Sequence, residues 1–145
     1  MPSIPNRIYT SISVRSKDTM KEGEKFKMEA ITADKVKMEE VENTDGIFIQ
    51  WLLSEKEGSE RIYIRRFTLK PGAKMPFHKH GNCEHLQYYL KGKGKVRMGK
   101  KDIDVNQGDA LFIPSGVPHS YLNTGDDDLQ FLCIVPGIDI ETDFL

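Results

Sequence analysis

Short β-rich runs separated by turn residues dominate the chain from Gly46 onward. They are rich in β-branched and aromatic residues, and they read GIFIQWLL, RIYIRRFTL, HLQYYLKG, GKVRMG, DIDV, ALFIP, VPHSYLN and LQFLCIV. Turns such as KGKG, MGKK, VNQG and NTGDDD recur about every 8 to 12 residues, which is the spacing of an all-β sandwich or barrel. A jelly roll fits this pattern best, because a closed barrel removes the strand edges that so many short strands otherwise expose.

The composition divides the chain into two parts. Residues 1–42 are polar and weakly periodic, and we expect an extended arm that packs on the barrel or on a neighbouring subunit. A short helix with Thr32 as its N-cap would fit within this arm. Residues 43–145 are predicted to form the barrel domain, and its tail PGIDIETDFL is either a closing strand or a loose end.

Charge and hydropathy exclude several classes of protein. The net charge is −1 and the basic residues are scattered among acidic ones, so no nucleic-acid-binding surface is expected. No apolar run approaches the roughly 20 residues that cross a bilayer. The N-terminal residues MPSIPNRIYTSIS do not resemble a signal peptide. The two cysteines, Cys83 and Cys133, do not make a disulfide framework, so we expect reduced thiols in a cytoplasmic protein, with Cys83 a free thiol.

The four histidines of the chain form a pattern typical of a metal site. His78 and His80 are two residues apart, so a strand would point both imidazoles to the same face. His85 follows the loop GNCE, and His119 lies in the run VPHSYL. Neutral imidazole is a common ligand of transition metals and a poor one for Mg or Ca. We therefore expect one divalent transition metal ion, Mn, Fe, Ni or Zn, held by all four histidines.

Two segments around these histidines resemble the two motifs of the cupin superfamily. The first motif, G-x5-H-x-H-x3,4-E-x6-G, is matched with one departure by Gly72, His78, His80, His85 and Gly92. The second motif, G-x5-P-x-G-x2-H-x3-N, is matched at every position by Gly108, Pro114, Gly116, His119 and Asn123. The resemblance covers roughly residues 60–135 and is to the small single-domain cupins of the cupin-2 type. It implies a double-stranded β-helix barrel, a mononuclear metal inside it and, commonly, a homodimer.

The departure concerns the acidic ligand of the first motif. Counting six residues back from Gly92 places His85 where similar proteins usually have Glu, whereas Glu84 also satisfies the spacing from His80. Adjacent strand residues point to opposite faces, so only one of the two should reach the metal. The count from Gly92 agrees with His85, which is favoured as the ligand, and Glu84 is the alternative. Four neutral histidines leave a divalent ion with two net positive charges, so the site should favour anionic ligands. Below about pH 6 the metal should leave, because imidazolium cannot ligate.

Other residues are predicted to line the barrel. Alternation from His85 puts Gln87 on the metal side, where it either contacts substrate or a ligand histidine or simply lines the wall. Arg65 is either an interior cation that could hold a substrate carboxylate or half of an exposed edge pair with Arg66, and the exposed pair is slightly favoured. Phe112 is expected in the core or the pocket wall.

Two kinds of function fit this chain. In the first it is a metalloenzyme acting on a small oxygenated or anionic metabolite, by the dioxygenase, isomerase or lyase chemistry of similar cupins, with Arg65 and Gln87 as substrate contacts. In the second it is a non-catalytic cupin that binds a metal or a small ligand. Both predict a small-molecule partner, no nucleic acid, no membrane and a homodimer. The resemblance does not decide between them, because function is set by the site and not by the fold.

Overall fold

The chain folds into two antiparallel β-sheets, as the recurrent turns predict. A computed structural model describes residue 26 and residues 28–145, so most of the predicted arm lies outside the described residues. The strands are β1 (Glu39–Glu40), β2 (Ile47–Leu53), β3 (Ile62–Leu69), β4 (Lys74–Lys79), β5 (His85–Lys91), β6 (Lys93–Met98), β7 (Lys101–Asn106), β8 (Ala110–Ile113), β9 (His119–Asn123), β10 (Leu129–Pro136) and β11 (Asp143–Phe144). Short 3-10 helices cover Ala33–Lys35 and Glu55–Glu57.

The chain passes repeatedly from one sheet to the other. The larger sheet has the order β1-β2-β3-β10-β5-β8, and the smaller has the order β11-β4-β9-β6-β7. Strands distant in sequence, such as β3 and β10 or β4 and β9, therefore become hydrogen-bonded neighbours. This arrangement confirms the predicted all-β jelly-roll class.

The core lies between the two sheets and is formed by alternate residues of the central strands. Phe131 of β10 is opposite Phe67 of β3 and Tyr89 of β5. Its ring is 1% exposed and stacks on Phe67 with centroids 5.4 Å apart. Along β5, Gln87 and Tyr89 face inward and Tyr88 faces outward, as the alternation in HLQYYL predicts. The interior of the barrel is therefore set by a period of two residues.

The outer face of β5 and β8 is apolar and exposed. Leu86, Tyr88 and Phe112 are 47%, 48% and 48% exposed, and Leu86 is paired with Phe112 across the two strands. The prediction that Phe112 lies in the core or pocket wall is wrong. On β8 the neighbouring Ile113 takes the inward position and is fully buried, so Phe112 must point outward.

The described part of the arm is held against the outer face of β2 and β3. Gln50 donates hydrogen bonds from Nε2 to the carbonyls of Ala33 (2.9 Å) and Val36 (2.8 Å). Arg66 donates from Nε to Gln50 (2.9 Å) and from Nη2 to the Asp34 carboxylate (2.8 Å). These contacts bury Arg66, which is 8% exposed, so the prediction of an exposed arginine pair at a sheet edge is wrong.

Gly92 marks a close approach between two connections that pass from one sheet to the other, the one between β5 and β6 and the one between β9 and β10. Its φ is +82°, a conformation that L side chains rarely adopt. A Cβ atom here would also lie 2.5 Å from the carbonyl oxygen of Asp128. Both constraints require glycine at this motif position, directly after β5.

Both ends of the described chain contain short elements that can be compared with the sequence predictions. The helix expected after Thr32 is a 3-10 helix at Ala33–Lys35, and the Thr32 side chain makes no capping hydrogen bond. The tail ends in β11, which pairs with β4, so it is a closing strand. The division between arm and barrel at residue 42 stays a prediction. In the part of the chain that the structure describes, no helix is long and apolar enough to cross a membrane.

Candidate metal centre and ligand pocket

Three of the four predicted ligand histidines converge inside the barrel. The antiparallel pairing of β4 with β9 places His78 directly opposite His119, and His80 follows the last residue of β4. The ring centroids are 4.3 Å apart for His78 and His119, 4.9 Å for His78 and His80, and 5.3 Å for His80 and His119. One nitrogen of each ring lies within 4.8 Å of the others. A modest inward movement brings them around one ion, whose bonds to nitrogen are about 2.0–2.1 Å.

Backbone carbonyls hold these three rings in an orientation suited to ligation. Nδ1 of His78 and Nδ1 of His119 each face the carbonyl oxygen two residues earlier, at 2.7 and 2.8 Å. Nδ1 of His80 faces the carbonyl oxygen of Glu141 at 3.1 Å. A carbonyl oxygen only accepts, so each Nδ1 carries the proton and each Nε2 keeps its lone pair.

His119 shows most directly that the centre fits a metal ion. Its side chain is buried, and its Nε2 has no hydrogen-bond partner among the described residues. A buried acceptor left unpaired costs about 1–3 kcal/mol. A cation bound by three neutral imidazoles would satisfy this lone pair, and nitrogen donors select a transition metal over Mg or Ca.

His85 lies beside the three converging rings, outside the group whose nitrogens approach within 4.8 Å. It is 3% exposed and its ring centroid is 4.5 Å from that of His80, whereas Glu84 is exposed. A guanidinium nitrogen of Arg65 lies 3.2 Å from its Nδ1. Because guanidinium only donates, this bond places the His85 proton on Nε2. Ligation through Nε2 would require that proton to move and Arg65 to release Nδ1, and the ligand set stays a prediction.

Both cysteines contact His85. The Cys133 sulfur lies 3.0 Å from Nδ1, and the Cys83 sulfur lies 3.5 Å from Nε2. Both are free thiols, as expected, and both are buried. Burial raises the pKa of Cys83 to about 11, so this thiol is protonated near neutral pH. Cys133 is part of the pocket wall that the sequence analysis did not identify.

Arg65 is an interior cation. Its side chain is directed inward from β3 and is 7% exposed, with its guanidinium 5.5 Å from the Trp51 ring centroid and 5.1 Å from that of Phe67. Nη2 donates to the Cys133 sulfur at 3.2 Å, and Nε has no hydrogen-bond partner among the described residues. None of the ion pairs among the described residues includes Arg65. The alternative in which Arg65 faces the interior is therefore the one observed.

A cavity of about 350 Å³ connects these groups to the surface. Its inner wall includes two of the three converging rings, His78 and His80, together with His85, Arg65 and Tyr121. The exposed side chains of Glu39, Glu40 and Glu42 line its mouth. The cavity is therefore cationic at its base and acidic at its entrance.

Gln87 contacts two tyrosines in the barrel wall. Its Nε2 donates to the Tyr121 hydroxyl at 2.7 Å, and its Oε1 accepts from the Tyr89 hydroxyl at 2.8 Å. Burial raises the pKa of both tyrosines, so both phenols remain protonated. Tyr121 was missed by the sequence analysis, although it lies two residues after His119 on the same strand and so shares its face.

Comparison with known proteins assigns the family. Residues 65–135 match the family model described as Cupin domain. A solved structure of a predicted oxalate decarboxylase from Thermotoga maritima is 30% identical, with a TM-score of 0.66 over 74% of this chain and 98% of that chain. The chain belongs to the cupin superfamily. The double-stranded β-helix predicted from the motifs is thereby confirmed.

Other proteins similar to this chain differ from one another in their named functions. The polyketide cyclase RemF from Streptomyces resistomycificus has a TM-score of 0.74 and 26% identity, covering 82% of this chain and 87% of that chain. The oxalate-binding protein of Thermotoga maritima is 39% identical over 70 residues, which are 48% of this chain and 58% of that protein. The match to this curated relative thus spans little more than half of its length. Together these similarities support the general cupin kind.

The metal-free cupin should lose stability as the pH falls from about 6.5 towards 4. Burial, with a smaller contribution from the charge of His78, lowers the pKa of His80 and of His119 from 6.5 to about 4. In the unfolded chain these pKa values return to about 6.5. Between the two values the unfolded chain binds more protons than the folded one, so the free energy of unfolding decreases with falling pH. Urea unfolding of the metal-free protein at several pH values measures this decrease.

A variant provides the control for this measurement. His119→Gln removes one of the titrating imidazoles and should make the pH dependence shallower. A free energy of unfolding that is the same at pH 7 and pH 4.5 would contradict the lowered pKa values. The same lowering moves the expected release of metal from about pH 6 towards more acidic pH, because the free ligands protonate only there.

Proposed function

We propose that this cupin holds one divalent transition metal ion through His78, His80 and His119, with His85 as the fourth ligand, and binds a small oxygenated anion beside it. The observation that carries the proposal is Arg65, a buried guanidinium that faces the histidines and has no carboxylate partner among the described residues. A buried charge is expensive unless it is paired. A bound carboxylate would supply the missing partner.

The size and polarity of the pocket support a small anion. A cavity of about 350 Å³ lies at the lower end of ligand-binding sites. Arg65 can offer a planar pair of N–H donors, which matches the two oxygens of a carboxylate. The glutamates at the mouth oppose entry of an anion, but they are exposed, and salt screens exposed charges over about 8 Å. The unscreened cations at the base therefore dominate for a ligand that has entered.

Catalysis is the first candidate role for this site. When bound, the metal ion would supply Lewis-acid chemistry, or redox chemistry if the metal is redox-active. Arg65 would orient the substrate carboxylate, and the rings of Trp51 and Phe67 beside its guanidinium would restrict access of water to it. The cavity lining contains carboxylates only at its mouth among the described residues, which disfavours a mechanism based on paired protein carboxylates. The similarity to a predicted oxalate decarboxylase and to a polyketide cyclase supports an enzyme.

The second candidate role is binding without turnover. Its support is the similarity to the oxalate-binding protein of Thermotoga maritima. The two roles are separated by incubating the metal-loaded protein with oxalate and with small hydroxy and keto acids. Product formation, followed by mass spectrometry and by oxygen uptake, supports the enzyme, and tight binding with no product supports the binding protein.

Substitution of His119 should strongly weaken metal binding. His119→Ala removes a ligand and should weaken metal affinity by more than ~100-fold, beyond the 10–100-fold typical of losing an outer-shell partner. His85→Ala should weaken affinity by a smaller factor, since His78, His80 and His119 are the three whose nitrogens already converge. Competition with a chromophoric chelator measures both affinities.

Glu84→Ala is the matched control, because Glu84 is adjacent to His85 and exposed. It should leave metal affinity unchanged. Unchanged affinity in His85→Ala would remove His85 from the ligand set, and weakened affinity in Glu84→Ala would restore Glu84 as the alternative ligand.

Replacement of Arg65 should separate anion binding from metal binding. Arg65→Met should retain the metal but bind oxalate ~10- to 100-fold more weakly, because a hydrogen bond to a charged group contributes about 1.5–3 kcal/mol. Calorimetric titration of the metal-loaded protein with oxalate measures the affinity. Arg61→Met, at an exposed position, is the control and should bind oxalate as the wild type does. Equal affinity in Arg65→Met and wild type would contradict the role of Arg65.

We also propose that the chain forms a homodimer to which the N-terminal arm contributes. The exposed apolar face containing Leu86, Tyr88 and Phe112 supports this, because monomers rarely expose large contiguous apolar patches. Deletion of residues 1–30 should shift the mass measured by light scattering towards that of a monomer. Leu145→Lys, an exposed apolar position outside this face, should leave the mass unchanged. A deletion variant with the wild-type mass would contradict the role of the arm.

A further inference from the structure

Tyr121 borders the ligand pocket beside the converging histidines. Tyr121 lies on β9 and its side chain lines the cavity. Its ring centroid is 5.6 Å from that of His119 and 6.2 Å from that of His78. The residue is 5% exposed, so its hydroxyl group has little access to bulk water.

The hydrogen bonds around Gln87 determine which groups donate. Tyr89 donates its hydroxyl proton to Gln87 Oε1, and Gln87 Nε2 donates to the oxygen of Tyr121. Because the Tyr121 oxygen already accepts this bond, its own proton is left to donate elsewhere. Among the described residues, Gln87 is the hydrogen-bond partner of the Tyr121 hydroxyl, and no acceptor takes that proton. Tyr121 itself lines the cavity.

Burial disfavours the opposite direction of these two hydrogen bonds. If the Gln87 amide were turned over, Tyr121 would donate to Gln87 and the proton of Tyr89 would need another acceptor. Tyr89 is 0% exposed and its ring packs on Phe131 with centroids 5.0 Å apart, and it does not line the cavity. A buried donor without a partner there would cost about 1–3 kcal/mol. The direction favoured by burial leaves the proton without an acceptor on Tyr121, the residue that lines the pocket.

We propose that the Tyr121 hydroxyl donates a hydrogen bond to an oxygen atom of the anion in the pocket, and that Gln87 and Tyr89 position that proton. This inference rests on the proposed function, since it assumes that a small oxyanion binds near Arg65. The anion is then recognised by two donors of different kinds, a charged guanidinium and a neutral phenol. A ligand that has no acceptor oxygen, such as imidazole, gains nothing from Tyr121.

The test compares oxalate with imidazole as probes of the cobalt-loaded protein, whose visible absorption reports binding of either. Tyr121→Phe should keep its metal content and its affinity for imidazole, and should bind oxalate ~10-fold or more weakly. Tyr89→Phe should weaken oxalate binding by a smaller factor, because the Gln87 amide is then free to turn over. Tyr88→Phe, on the exposed side of the same strand as Tyr89, should match the wild type.

Each outcome bears on the proposal. Equal oxalate affinity in Tyr121→Phe and wild type overturns it, as does an equal weakening for oxalate and imidazole. If Arg65→Met weakens oxalate binding and Tyr121→Phe does not, the role of Tyr121 falls and the proposed function stands. If the wild type binds metal but not oxalate, both fall.

A second measurement needs no folded Tyr121 variant. In zinc-loaded wild type labelled with ¹³C at tyrosine Cζ, oxalate should shift the Tyr121 resonance and imidazole should not. The five tyrosines of the chain allow assignment by replacing each of the other four with Phe. An unchanged Tyr121 resonance on saturation with oxalate overturns the proposal.

Discussion

A positive charge buried without a negative partner governs the interior of this barrel. Arg65 is held between the rings of Trp51 and Phe67, and its contacts inside the barrel are to His85 and to the Cys133 sulfur. Removing a guanidinium from water is costly, and neither aromatic rings nor a thiol replaces a carboxylate. Burial is the largest cause that lowers the pKa of His85 to about 2, and the charge of Arg65 is the second. The interior is therefore a place where histidines stay neutral and an added anion is favoured.

The two sheets contribute different parts of the site. The smaller sheet supplies His78 and His119 through the register of β4 with β9. The larger sheet supplies Arg65, His85 and Gln87 from β3 and β5, which lie on either side of β10. A ligand at the base of the cavity would touch both sheets, so the space between them is both the core of the fold and the site. A change in the packing of the sheets would therefore alter the distance between the converging histidines and the guanidinium.

Local patterns of the sequence predicted much of this site. They failed where a neighbouring strand decides whether a side chain is buried. The inward direction of Gln87 follows from its spacing to His85, and the same rule places Tyr121 beside His119, although it was not applied there. The exposed arginine pair was wrong because β3 is a central strand flanked by β2 and β10, and because the arm covers Arg66. The position of Phe112 was wrong because an apolar side chain does not reveal which face of a strand is inside.

The sequence by itself determined the class of fold and the set of residues available for metal binding. Turn spacing defined short strands, and two motifs around the histidines identified a cupin barrel. The motifs place glycines at turns that need a positive φ, and they place histidines at fixed distances from those turns. Only the tertiary structure decided that Arg65 faces the histidines without a carboxylate, and that Tyr121 lines the pocket with Gln87 donating to its hydroxyl. Spacing along a strand sets the face of a residue. Its burial and hydrogen-bond partners depend on strands that are distant in sequence, and those set its charge and donor state.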